Sequence, residues 1–263
     1  LRLPKLENKK KNIKHVYTQD EIDKILTRFK DNDVFTCAFL TACYTGMRTG
    51  EVCALTWNDI DLKNGIIHIK HNVYDKKKDE KGKWYLGSTK TETGDRKVYI
   101  SNTLLNALKN YKRKQSYLKK VYGSKYHYYH LEEVKNSYGK VIEYRIVENE
   151  NHLLTLNTLN LVFTRENGLY SGTDITRYPY KIIHQELGIK NCRFYDLRGS
   201  YATRILKNGV EIRDVADILG HKNIETTENY YISSSNESRK DANDIFEKVI
   251  HSDIIDKISN YKY

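Results

Sequence analysis

Proline and methionine are nearly absent from this 263-residue chain, which has two Pro and a single Met, at position 47. Because that Met is internal, residue 1 does not read as a translation start, and the chain is read as a fragment of something longer. Long hydrophobic runs are lacking: nothing approaches the ~18 consecutive apolar residues of a membrane span, and no signal-peptide core stands near the start. Membrane insertion and secretion are therefore not expected, and the chain reads as soluble and intracellular. Cysteine is scarce. Cys37, Cys43, Cys53 and Cys192 form no CxxC pair and no evident framework, so reduced, packed thiols are expected. The histidine pairs of "HIKH" (His68, His71) and "HYYH" (His127, His130) lack a carboxylate or cysteine at a recognised ligand spacing. In a strand His68 and His71 would also face opposite sides. No metal site is expected, and the absence of acidic clusters at ligand spacing argues against a two-metal nuclease, which would need several converging carboxylates.

Positive charge is plentiful. Lys and Arg outnumber Asp and Glu by 45 to 34, giving a formal net charge of +11 and a pI near 9.2. That balance favours polyanionic partners, either nucleic acid or an anionic membrane surface. The length allows one large domain or two small ones, with a core that needs no disulfides.

Residues 1–16, "LRLPKLENKKKNIKHV", hold six Lys/Arg against one Glu and read as a basic linker. Thr18 and Glu21 have capping-box spacing, followed by Ile22, Ile25, Leu26 and Phe29 at helical intervals. "VFTCAFLTACYTG" reads as a buried helix ending at Gly46, and "EVCALTW" resumes helix. "GIIHIKHNVY", "KWYLGSTK" and "RKVYIS" alternate as three antiparallel strands would, the last two joined through "TETGD" with a tight turn at Gly94-Asp95. Ser101 opens a long basic helix. Residues 123–157 suggest a hairpin around Ser137-Tyr138-Gly139, an insertion on the main fold. "LVFT" looks strand-like, and helical patterns follow near 174–187, 197–207, 211–219 and 224–230. A last amphipathic segment, 240–258, places Ile245, Phe246, Val249, Ile250, Ile254 and Ile258 on one side. The expected class is α+β, mainly helical, with a small antiparallel three-stranded sheet.

Three segments depart from ordinary core and surface patterning. "TGMRTGEV" sets Arg48 at a helix junction between Gly46 and Gly50, where backbone can approach a ligand. "FYDLRGSYATRIL" sets Arg198 near a helix start, with Tyr195 just before it. "LGHKNIETTENYY" adds His221, Tyr230 and Tyr231. Singly, each has an ordinary reading. A helix-end arginine usually pairs with a carboxylate, here Glu51 or Asp196; Gly-His after a helix is a cap and a loop; tyrosines at a helix end pack. Jointly, two arginines, a histidine and a lysine suit a phosphodiester, because fixed guanidinium groups spread over the nonbridging oxygens stabilise phosphoryl transfer without a metal.

The segments "TGMRTGE", "TKTETGDRKVYI", "YDLRGSYAT" and "LGHKNIETTENY" stand in the order found in the tyrosine recombinases, the phage-integrase type of site-specific recombinase, and the chain resembles that family. The resemblance implies that Arg48 and Arg198 clamp the scissile phosphate and that His221 donates to it or stabilises the transition state. Lys90 would be the general acid for the leaving 5′ oxygen, its pKa lowered by surroundings. Tyr230, nine residues after His221, is selected over Tyr231 as the nucleophile. Tyr195 stands where the family has a histidine; a phenol is a poor base at neutral pH, so an orienting role is expected. Gly199 replaces a second histidine common in the family. The resemblance further implies a catalytic domain over 17–239, a tail over 240–263 that docks on a neighbouring subunit, and a homo-oligomer, a tetramer on double-stranded DNA attachment sites. It also implies accessory DNA-bending or excision proteins, no cofactor, no membrane, and a bacterial cytoplasmic, nucleoid-associated setting. Two alternatives are a type IB topoisomerase-like monomer and a non-catalytic DNA-binding protein on the same scaffold.

Overall fold

Thr18 starts the first helix as its spacing predicts. In the computed structural model, which describes residues 15–75, 83–88, 94–150 and 157–232, the Glu21 amide donates to the Thr18 hydroxyl and the Thr18 amide donates to the Glu21 carboxylate (2.8 Å). This capping box satisfies amides that every helix start leaves without intrahelical partners, and it opens α1 (Gln19–Arg28). The chain before it is pinned to α6 (Asp196–Lys207): the Tyr17 amide donates to Ser200 Oγ, and Arg204 donates to the Tyr17 carbonyl.

The α2 helix (Asp33–Thr45) is apolar on nearly every side, and such a helix has to be surrounded. It packs against α3 (Thr49–Cys53), α4 (Asn102–Tyr122) and α6. Phe35, Ala38, Phe39 and Ala42 accordingly have no exposed surface. Phe29 and Tyr180 extend this centre by ring contacts to Phe35. As predicted, α2 ends at Gly46 in the left-handed conformation, and Ser101 caps α4. After a 3-10 turn at Gly172–Thr176 come α5 (Arg177–Gln185), α6, α7 (Ile212–Leu219) and α8 (Glu225–Ile232). Ala202 and Leu206 of α6 meet Val215 and Leu219 of α7 in a small second core, and α8 rests on both helices.

The strands depart from expectation. Instead of one three-stranded sheet, the described residues form two antiparallel sheets. The first runs β1 (Ile60–Asp61), β2 (Ile66–Ile69), β5 (Arg96–Tyr99). The second runs β3 (His71–Asp75), β4 (Trp84–Ser88), β7 (Val141–Glu148), β6 (Tyr129–Lys135). The single run "IIHIKHNVY" is divided at Lys70, but Ile67, Ile69 and Val73 all stay buried. The period of two persists across the break, so alternation could not reveal it. Consequently β4 and β5, expected to pair across Gly94-Asp95, lie in different sheets. The β6–β7 hairpin turns at Asn136–Lys140, where the Asn136 side chain accepts from the amides of Tyr138 and Lys140 and Gly139 takes a positive φ of 75°. "LVFT" is not a strand. Leu161 makes one bridge to Thr56, and Leu161, Val162 and Phe163 are all buried; an apolar run enclosed on every side looks the same whether coil or strand.

Among the described residues no helix is long and apolar enough to cross a membrane. The basic segment before His15 and the tail over 240–263 lie outside the described residues.

Gly46 is the glycine on which this packing turns. Its φ is 65°, and an added Cβ would stand 2.6 Å from Leu219 and 2.7 Å from Tyr201. Gly46→Ala is expected to destabilise the fold by ~2 kcal/mol, from left-handed strain and overpacking together. A urea transition with an unshifted midpoint would contradict this.

Candidate active site

The α7 helix ends in a glycine cap. Gly220 adopts φ 66°, and the amides of Gly220 and His221 turn back to the carbonyls of Asp217 and Ala216. The last carbonyls of a helix have no intrahelical donor, and here three consecutive ones each receive an arginine from a different part of the chain. Arg96 Nε donates to Ile218 O at 2.7 Å, Arg198 Nη2 to Leu219 O at 2.6 Å, and Arg48 Nη2 to Gly220 O at 3.3 Å. Cations are favoured at this negative end of the helix dipole.

Arg48 sits at the head of α3. Its Nη1 donates to Glu51 Oε1 at 2.6 Å, and its amide donates to Oε2 at 2.9 Å. The buried Glu51 carboxylate also receives Arg96 Nη1 at 3.2 Å and Nη2 at 2.9 Å. Burial alone would raise the Glu51 carboxyl, but the hydrogen bonds and charge of Arg96, with the charge of Arg48, outweigh it and hold the group below the usual carboxylate range.

Arg198, in the first turn of α6, is fully buried. Besides Leu219 it donates through Nη1 to Gly46 O at 2.9 Å, while its Nε has no acceptor among the described residues. Burial, and then the charge of Arg48, push its pKa down to about 10, which leaves it cationic at neutral pH. The ordinary reading of helix-end arginines holds for Arg48, which takes Glu51, and fails for Arg198. Asp196 is occupied by Arg193, through the amide at 2.9 Å, Nε at 3.1 Å and Nη2 at 2.7 Å. Arg198 therefore has carbonyls as partners and no ion pair among the described residues.

His221 follows the α7 cap directly, with Nδ1 2.8 Å from Oγ1 of Thr227, a buried residue of α8. Tyr230 and Tyr231 both lie on α8. Tyr195 stands at the start of α6 with 43% of its surface exposed. The structure thus brings Arg48, Arg198 and His221 to the end of α7, with Tyr195 on the helix that carries Arg198. Lys90 lies outside the described residues. The role expected for Gly50 needs correction: a Cβ there would meet Asn72 Oδ1 at 2.3 Å and the Val73 carbonyl at 2.6 Å, so its smallness lets α3 rest on β3 rather than admit a ligand. Sequence reasoning missed Arg96 and the shared role of Glu51. The signal was present in β5, where Arg96 and Val98 alternate inward, and an inward-facing arginine calls for hydrogen-bond acceptors around it. Among the described residues no three His, Cys, Asp or Glu side chains converge as metal ligands would. A cleft of about 480 Å³ between α2, α4 and α5, lined in part by Asp33, Lys114 and Tyr178, shares no residue with the arginine cluster.

The profile of the phage integrase family matches residues 15–237. Among similar proteins is a tyrosine recombinase XerC-like protein of Caldanaerobacter subterraneus subsp. tengcongensis, 29% identical over 220 residues, covering 82% of this chain and 49% of that one. Another is the transposase from transposon Tn916 of Enterococcus faecalis, 24% identical over 230 residues, covering 86% and 49% respectively. The chain thus spans about half the length of these relatives. Among solved structures, the Tn1549 transposon integrase in complex with transposon right end DNA aligns with a TM-score of 0.60 at 19% identity, over 90% of this chain and 68% of that one. The XerA recombinase aligns at 0.52 with 21% identity, over 87% and 61%. These structures share the α+β fold of tyrosine recombinase catalytic domains.

Because Glu51 is held below its unfolded pKa, it adds stability above about pH 4.3, and that contribution is lost as pH falls through the lower folded value. The stability gap between the native protein and Glu51→Gln is expected to be largest near neutral pH and to narrow on acidification. A gap that widens below about pH 4 in denaturant titrations would contradict the assignment.

Proposed function

We propose, from the premise that this chain belongs to the phage integrase family, that it cleaves and rejoins double-stranded DNA at specific attachment sites through a 3′-phosphotyrosyl intermediate. The observation that carries the proposal is Arg198: a buried cation whose neighbouring carboxylate is already taken, and whose Nε lacks an acceptor among the described residues. An anion supplied from outside would meet that need. Arg48, partly exposed beside it, would take a second phosphate oxygen through its planar donors. Since Arg198 has no exposed surface, contact with a phosphate requires what covers it to move. The Thr227–His221 contact ties α8 to the same loop.

In the proposed reaction Tyr230 gives up its phenolic proton to water and its oxygen attacks phosphorus in line. The bond from phosphorus to the 5′ oxygen breaks, and Lys90 supplies the proton to that oxygen, leaving the 3′ phosphate on tyrosine. Attack by a 5′ hydroxyl reverses the step with tyrosine as the leaving group. The phosphodiester energy is kept in the adduct, so no ATP is consumed. Arg48, Arg198 and His221 stabilise the added negative charge as phosphorus becomes five-coordinate. Tyr195 orients the phosphate or the nucleophile. Exchange between two duplexes calls for a homo-oligomer, a tetramer, with the tail over 240–263 docking between subunits. Accessory bending or excision proteins would set direction, and a DNA substrate of this kind would place the protein at a bacterial nucleoid. The solved structure of the Tn1549 transposon integrase in complex with transposon right end DNA supports this substrate class.

Incubation of the full-length parent with a nicked duplex carrying the element's end should give a covalent protein–DNA band on a denaturing gel. The band should vanish in Tyr230→Phe, persist in Tyr231→Phe, and form more slowly in Tyr195→Phe. No band from a parent that demonstrably binds this DNA would refute the catalytic reading, and loss only in Tyr231→Phe would reassign the nucleophile.

A further inference from the structure

Arg96 is nearly as buried as Glu51, with 9% and 2% of their surfaces exposed, and, unlike Arg198, every one of its guanidinium nitrogens already donates within the protein, so it is not placed to touch DNA. Its side chain nonetheless joins three parts of the site. Nη1 and Nη2 hold the two oxygens of Glu51, Nε holds Ile218 O, and Nη1 also reaches Gly94 O at 3.2 Å. Both Glu51 oxygens are at the same time engaged by Arg48, one by its guanidinium and one by its amide. One buried carboxylate is therefore divided between two arginines, and the trio keeps one net positive charge. If Arg96 were removed, the same carboxylate would face Arg48 alone, and a close ion pair of low exposure is nearly neutral as seen from outside.

We propose that Arg96 is a positioning residue for strand cleavage, which by sharing Glu51 leaves the charge of Arg48 available to the scissile phosphate. The inference rests on the cleavage reading above and adds to it a residue that acts only through Glu51 and Arg48. A purely structural Arg96, holding β5 to the end of α7, makes a different forecast. In that case the loss of Glu51 as well would leave cleavage no better, since a second buried contact would be gone. Charge sharing forecasts the reverse: neutralising Glu51 releases Arg48 and restores part of the rate.

The test compares the full-length native protein with Arg96→Ala, Arg96→Lys, and each of these combined with Glu51→Gln. Single-turnover formation of the phosphotyrosyl adduct is followed on the nicked duplex at saturating protein, with duplex affinity measured at the same salt. Arg96→Ala is expected to slow adduct formation ~10- to 100-fold while changing affinity less than about threefold, a loss confined to the transition state. Adding Glu51→Gln should recover roughly tenfold of that rate. Arg96→Lys keeps a cation beside Glu51 without the two-pronged contact and should fall between. If Arg96→Ala does not fold, by circular dichroism and thermal unfolding, the Arg96→Lys pair carries the same comparison. Double variants no faster than their Arg96 parents, or Arg96 variants that match the native rate, would overturn the inference while leaving the cleavage reading intact. A native protein that forms no adduct on duplex it binds would overturn both.

Discussion

Three guanidinium groups meeting the last carbonyls of one short helix is the interaction on which the rest of the site depends. Arg48 comes from α3, Arg96 from β5 and Arg198 from α6, and all three converge on residues 218 to 220. The glycine cap that exposes those carbonyls also delivers His221 to the same place. Around 150 residues of sequence separate the first arginine from the last in α6, and the α7 terminus is what makes them neighbours. Gly46 serves the same end from the other side, since its carbonyl takes Arg198 and its lack of a side chain admits Leu219.

The energetics of the cluster follow from where its charges lie. A cation at a helix C-terminus gains about 0.3–1 kcal/mol, up to about 2 in partly buried settings. A buried charge left without its counter-ion costs about 3–5 kcal/mol. For Arg48 and Arg96 the shared Glu51 carboxylate offsets one of the two charges. Among the described residues Arg198 has only the carbonyls of Gly46 and Leu219, and burial lowers its pKa. Asp196, two positions earlier on the same helix, does not face Arg198 and is held by Arg193. On the proposed reading, that charge without an ion-pair partner among the described residues is what an incoming anion would meet.

Much of this was legible in the sequence. The capping box at Thr18, the glycine stop at Gly46, the cap at Ser101 and the helices of the last third follow from local chemistry, because helix boundaries are written in adjacent residues. The sheets were less legible, because pairing partners are set by contacts distant in sequence. Nothing within "IIHIKHNVY" says that its halves pair with different strands. At the site, Arg48, Arg198 and His221 were found because each lies in a short motif. Arg96 was overlooked because it stands among lysines, and because its significance depends on Glu51, 45 positions earlier. A charge shared by two partners has no local signature.

The most direct measurement replaces the charge the arginines are held to serve. A nicked duplex carrying a neutral methylphosphonate at the cleaved position would be compared with the ordinary phosphodiester, for the native protein and for Arg48→Ala. If the cluster exists to balance charge on the nonbridging oxygens, the penalty of Arg48→Ala should be large on the phosphodiester and much smaller on the methylphosphonate. An equal penalty on both substrates would contradict that role and leave Arg48 as a steric or structural element.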